Sequence, residues 1–158
     1  MNYYTKVVEE PIRVYPRSWN VDGRGQLAEI LRMDDQLFKD FRGNKVGQFY
    51  CTTVSPCITK AWHMHKKQTD RMMLLAGCVR FGCVDPDDDV LLDLVVDAQD
   101  PCMIIIPPRI AHGFKNVGST PAYIVNVPDH MYDSTNPDEH RFPAHSFECF
   151  DWNASLDG

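Results

Sequence analysis

The sequence has no long apolar run: its longest, Met103 to Pro108, falls far short of the ~20 residues a membrane-spanning helix needs. It has no leader-like opening either, because Lys6, Glu9, Glu10 and Arg13 interrupt the apolar residues of its first stretch. No CxxC pair occurs. The six cysteines (Cys51, Cys57, Cys78, Cys83, Cys102 and Cys149) are too sparse in 158 residues for a disulfide-built secreted scaffold. They read as reduced, mostly core thiols of a cytoplasmic protein. Positive charge is also scarce, 16 Lys and Arg against 22 Asp and Glu, for a net of −6. That balance argues against nucleic-acid binding and leaves room only for a local cationic pocket that takes a small anion. No repeat or low-complexity linker divides the chain, so residues 1–158 read as one domain.

What the sequence does have is short β-rich runs between frequent punctuation, 11 prolines and 9 glycines. Candidate strands are Gln48 to Val54, Ile58 to Met64, Arg71 to Ala76, Cys78 to Val84, Leu91 to Val96, Cys102 to Pro107 and Ala122 to Val127. Turn signals such as Asp85-Pro86-Asp87 and Asn116-Val117-Gly118 separate them. Seven short strands with little room for helices predict an all-β sandwich or jelly roll. The one candidate helix is Asp34 to Phe41, with Asp34 or Asp35 as its cap. Residues 129–158, rich in Pro, Asp and His, read as a wrapping tail in which His130, His140 and His145 are solvated.

The densest polar cluster runs from Lys60 to Arg71 and contains His63, His65, Lys66, Lys67 and Asp70. Residues two apart on a strand share a face, so His63 and His65 go to one side with Ala61, and Lys60 and Trp62 to the other. Two histidines side by side in a β-barrel ligate a metal or divide the work of base and binder; otherwise they are a solvated surface pair. A second cluster follows the buried run Met103 to Ile106: a proline turn at Pro107-Pro108, then His112 and Asn116. A metal held here would use His63, His65, His112 and Asp70, the ligand types such a site needs, although Lys66 and Lys67 would repel a divalent cation.

The two clusters resemble the two-motif pattern of the cupin superfamily, H-x-H with a following acid and Gly, then P-x-G-x-x-H-x-x-x-N. His63, His65, Asp70 and Gly77 stand in the first; Pro107, His112 and Asn116 stand in the second, with Arg109 in place of the usual Gly. A narrower resemblance is to the dTDP-4-dehydrorhamnose 3,5-epimerases. Asp22-Gly-Arg24-Gly25-Gln-Leu-Ala-Glu29 resembles their D-x-R-G-x-x-x-E segment, and Gln48 falls on a pocket Gln. Lys60-Ala-Trp-His63 stands at R-G-L-H, Ile106 to Phe114 at I-P-x-G-F-A-H-G-F, and Tyr132 and Glu139 at Y-x-P-x-x-E.

That resemblance implies a cupin-type double-stranded β-helix and a homodimer whose N-terminal strands cross to the partner. It implies a dTDP-linked keto sugar as substrate and no cofactor. Arg24 and Lys60 would bind the diphosphate, with Glu29, Gln48, His65, Arg71 and Tyr132 as further substrate-binding residues. His63 would be the base that removes a proton beside the C4 ketone, a role suited to a group whose ordinary pKa is about 6.5. His112 completes the catalytic set.

Two departures stand out. Asn126 occupies the place of the family's tyrosine acid, and the six residues after Trp152 offer no counterpart to the acid that pairs with the base. Tyr50, on the same strand face as Gln48, is the substitute phenol. The enolate lysine of the family falls at Asp70 or Arg71 here, with Lys66 and Lys67 nearby. Alternative readings are a metal-dependent cupin enzyme and a non-catalytic relative that only binds a sugar nucleotide.

Overall fold

Alternating apolar and polar residues, interrupted every few positions by Pro or Gly, fold into strands and, among the described residues, no helix. The computed structural model describes residues 11–32, 45–87 and 89–154; the candidate helix at 34–41 lies outside them. The strands are β1 (Arg13–Pro16), β2 (Asn20–Asp22), β3 (Gly25–Leu27), β4 (Tyr50–Val54), β5 (Thr59–His65) and β6 (Asp70–Ala76). They continue as β7 (Cys78–Val84), β8 (Val90–Asp97), β9 (Cys102–Ile106), β10 (Ala111–Asn116), β11 (Ala122–Asn126) and β12 (Glu139–Arg141). Two five-stranded sheets result, in the orders β1-β9-β6-β11-β4 and β12-β5-β10-β7-β8, with β2 and β3 as a separate hairpin. Every pairing is antiparallel.

Seven of these strands coincide with the runs picked out by composition. β10 escaped notice because His112, Gly113, Lys115 and Asn116 dilute its β-forming residues. Burial against both neighbours, β5 and β7, outweighs that weak propensity.

Strand alternation sorts side chains cleanly into inside and outside. Met72, Leu74, Val79, Phe81, Ile104, Phe114 and Ile124 fill one end of the space between the sheets. At the other end the same inward rows carry Asp70, His112 and Asn126, each at most 2% exposed. Outside the first sheet, Met73, Met103, Ile105 and Val125 form a second apolar cluster. Outside the second sheet, Trp62 packs with Val84, Ala111, Phe150 and Trp152 from the chain's last segment. Arg80 fastens that segment: its guanidinium makes paired bonds of 2.8 and 2.7 Å to Asp93 and donates to the Asp151 carbonyl.

One expectation about facing needs correction. In the β5–β10 register His63 pairs with His112 but Lys60 pairs with Phe114, so two residues on β5, Ala61 and Trp62, lie opposite one on β10, Gly113. This bulge at Ala61 and Trp62 resets the alternation. Ala61 and Trp62 both go to the outer cluster, and Lys60 turns inward on the side of His63 and His65.

Candidate active site

The polar end of the barrel opens into a groove with two lobes. The larger, about 550 Å³, is lined by Tyr50, Thr52, Lys60, His63, Asn126 and Arg141 among others. The smaller, about 380 Å³, takes in Gln48, His65, Lys67, Gln68, His130 and Tyr132. Tyr50, His63 and Glu139 belong to both lobes, so the groove is continuous around them.

Asp70 is the hub of the inner wall. Its Oδ1 accepts from Gln68 Nε2 at 2.8 Å and from Asn126 Nδ2 at 2.7 Å. Its Oδ2 lies 3.2 Å from His112 Nε2 and 3.5 Å from His65 Nε2. Burial pushes this carboxyl up, but the contact and charge of His112, the charge of His65 and the Asn126 amide outweigh burial and hold it below the usual carboxylate range. Asn126 donates as well to the Tyr50 hydroxyl at 2.8 Å. The residue in the place of the family's tyrosine thus carries a phenol supplied by β4. Burial and the Asp70 charge push the Tyr50 phenol up to about 12, so it stays protonated at neutral pH.

His63 projects between the lobes, its ring 4.1 Å from that of His112. Burial and the adjacent His112 hold its pKa well below the ordinary 6.5. It is therefore a neutral imidazole at pH 7, with a lone pair available to take a proton.

The donor set also suits a metal ion. His63, His65 and His112 bring ligand nitrogens within 4.8 Å of one another. Nδ1 of His112 donates to the Ile110 carbonyl at 3.0 Å, so both of its nitrogens face acceptors. His112 Nε2 and Asp70 Oδ2, buried opposite each other, lack a well-formed hydrogen bond. A proton or a cation between them satisfies the pair.

Several sequence-based placements change. Arg71 does not face the groove: with Asp70 turned in, the next residue turns out, and its guanidinium donates to the carbonyls of Lys45 and Val127. Arg24 is 90% exposed on the separate hairpin and paired with Asp22, while Glu29 pairs with Arg32; neither lines the groove of its own chain. Gln48 and Tyr132 do come together, through a bond from the Tyr132 backbone to Gln48 Oε1 at 3.2 Å. Lys60 reaches across to β4, donating to Thr52 Oγ1 and the Thr53 carbonyl.

The 129–142 segment holds what the sequence reading missed. Asp138 accepts from three successive backbone amides, those of Lys66, Lys67 and Gln68, and so anchors the segment to the end of β5. His130 is solvated as expected, 48% exposed, and is also held by the buried Asp129 at 2.7 Å and lines the smaller lobe. Glu139 and Arg141 pair in register with His65 and His63. Only their two-residue spacing, matching that of the histidines, hints at this in the sequence.

Residues 20–140 match the family described as the polysaccharide biosynthesis C-terminal domain. The chain belongs to that family. It is 32% identical over 146 residues to the probable low-salt glycan biosynthesis epimerase Agl13 of Haloferax volcanii, covering 88% of this chain and 91% of that one. A dTDP sugar isomerase from Desulfovibrio desulfuricans shares the fold with a TM-score of 0.77 at 22% identity, over 96% of this chain and 97% of that one. The dTDP-4-dehydrorhamnose 3,5-epimerase of Elizabethkingia anophelis gives 0.74 at 18% identity, over 96% and 86%. The motif resemblance and the fold likeness thus agree on the epimerase-like cupin jelly roll. No helix among the described residues is long and apolar enough to cross a membrane.

Proposed function

We propose that the chain is a metal-independent nucleotide-sugar epimerase. It would act as a homodimer on a dTDP-linked 4-keto-6-deoxyhexose, by proton transfer at a carbon beside the ketone. The observation that carries this reading is the placing of a neutral His63 and a protonated Tyr50 around one continuous groove. His63 takes the proton, the C–H electron pair becomes the C=C bond of an enolate, and negative charge moves to the ketone oxygen. Tyr50 then delivers its proton to the other face of that carbon and the carbonyl re-forms. The imidazolium and phenolate left behind exchange protons with solvent. Lys67, which lines the smaller lobe where Arg71 does not, is the cation assigned to the enolate oxygen. Arg24 and Glu29 would enter a groove only from a second copy.

The test is turnover of dTDP-4-keto-6-deoxyglucose in heavy water. Wild-type protein is expected to place solvent deuterium on a carbon flanking the ketone, and Tyr50→Phe to slow inversion by about 10²-fold, within the usual span for an acid–base group. Binding without deuterium uptake would instead indicate a non-catalytic sugar-nucleotide binder.

The unbonded pair Asp70 and His112, beside the trio of imidazoles, favours one second reading, a metal-dependent cupin enzyme. His63, His65, His112 and Asp70 would hold the ion, which when bound would polarise the ketone oxygen as a Lewis acid. Elemental analysis separates the readings. Metal-independent catalysis is expected to survive chelation with substoichiometric metal; stoichiometric metal and loss of activity on its removal establish the second.

A further inference from the structure

The cations of the groove are divided unevenly between its lobes. Lys60 and Arg141 line the larger lobe with Glu139 as its one carboxylate among the described residues, whereas the smaller lobe sets Lys67 against Asp133, Asp138 and Glu139. Lys60 has no carboxylate partner among the described residues; its ammonium is satisfied by Thr52 and Thr53 oxygens. Arg141 is 79% exposed, bonded to Glu139 at 3.0 Å.

Register fixes where these two cations stand. Residues paired across antiparallel strands point to the same face, so Arg141, opposite His63, shares the groove face with it. Because of the bulge, Lys60 lies two ladder positions from His63, about 7 Å along the sheet. Two long cationic side chains rooted beside and beyond His63 converge on one volume. The Arg141 charge is also among the influences that lower the His63 pKa, as proximity requires.

We propose that Arg141 is a diphosphate-binding residue of the larger lobe, working with Lys60, and that Glu139 holds its guanidinium until the phosphate displaces that carboxylate. This rests on the nucleotide-sugar reading and gives the substrate a direction: diphosphate toward Lys60 and Arg141, sugar toward His63 and Tyr50. A guanidinium suits the role because its planar fork donates two parallel bonds to a phosphate.

Calorimetric titration with thymidine diphosphate, uridine diphosphate and inorganic pyrophosphate, with thymidine as the uncharged control, tests the assignment without any need for turnover. Arg141→Ala is expected to weaken the diphosphates about tenfold and leave thymidine unchanged, as loss of a charge-assisted bond would. Glu139→Gln is expected to tighten the diphosphates by removing the competing carboxylate. Unaltered diphosphate affinity in Arg141→Ala, with its exposed side chain and an unchanged melting curve, overturns the role of Arg141 alone. Failure of wild-type protein to bind any of the three phosphate probes overturns the nucleotide-sugar reading itself.

Discussion

His63→Asn is expected to lower kcat by about 10²–10⁴-fold, the span that a positioned general base contributes, while the chain stays folded. The fold should tolerate the change because His63 makes no hydrogen bond among the described residues and faces the groove rather than the apolar core. Circular dichroism and the melting temperature should therefore match wild type while turnover collapses. The pH dependence is a second signature. Burial, with the adjacent His112, holds the His63 pKa well below 6.5, so the base stays deprotonated below neutrality. The acid limb of kcat/KM is expected to fall below pH 6.5. A limb centred above that value, or a variant that keeps wild-type kcat, would remove His63 from the role of base. The same shift acts on stability. As pH falls below 6.5 the unfolded chain takes up the proton before the folded one does, so the native state loses this contribution on acidification.

Much of this site could be read from the sequence, because a period of two puts residues on faces. Asp70, Met72 and Leu74 point in, while Arg71, Met73 and Leu75 point out. The same rule also shows why Arg71 was misplaced. Motif alignment left the choice between Asp70 and Arg71 open, and one residue of shift exchanges the inside of a barrel for its outside. Lys60 went wrong for a different reason. Neither Ala61 nor Trp62 is a residue that announces a bulge, and the space this one needs is left by the neighbouring strand. Glu139 could be matched to a motif but not set beside His65, and Arg141 could not be placed at all, since His65 and His63 lie more than seventy residues earlier in the chain. Asn126 looked like the loss of an acid. In the fold it joins Tyr50 to Asp70, so a departure from the motif on β11 is met by a residue on β4.

On that neighbouring strand Gly113 leaves the bulge room, and it yields the second large effect. A Cβ at Gly113 would lie 2.5 Å from Ala61 Cβ, 2.8 Å from Ala61 Cα and 2.8 Å from the Lys60 carbonyl oxygen. Two of those three are backbone atoms of the bulge, which have no rotamer to give way. Relief would need β5 to lift from β10, carrying Lys60 and His63 away from His112. Gly82, paired with Gly113 across β7 and β10, provides the control. A Cβ there would meet the ring edges of Phe150 and Trp152 at 2.7 and 2.9 Å, tips of side chains in the covering segment. Overpacking of this kind costs about 1–3 kcal/mol. For a chain of this size Gly113→Ala is therefore expected to lower Tm by about 2–12 °C and to depress kcat even in the fraction that remains folded. Gly82→Ala is expected to lower Tm less and to leave kcat near wild type, because the strain is taken up outside the barrel. Equal losses of activity in the two variants would show that the groove does not depend on the bulge, and an unshifted melting curve for Gly113→Ala would show that β5 is free to move.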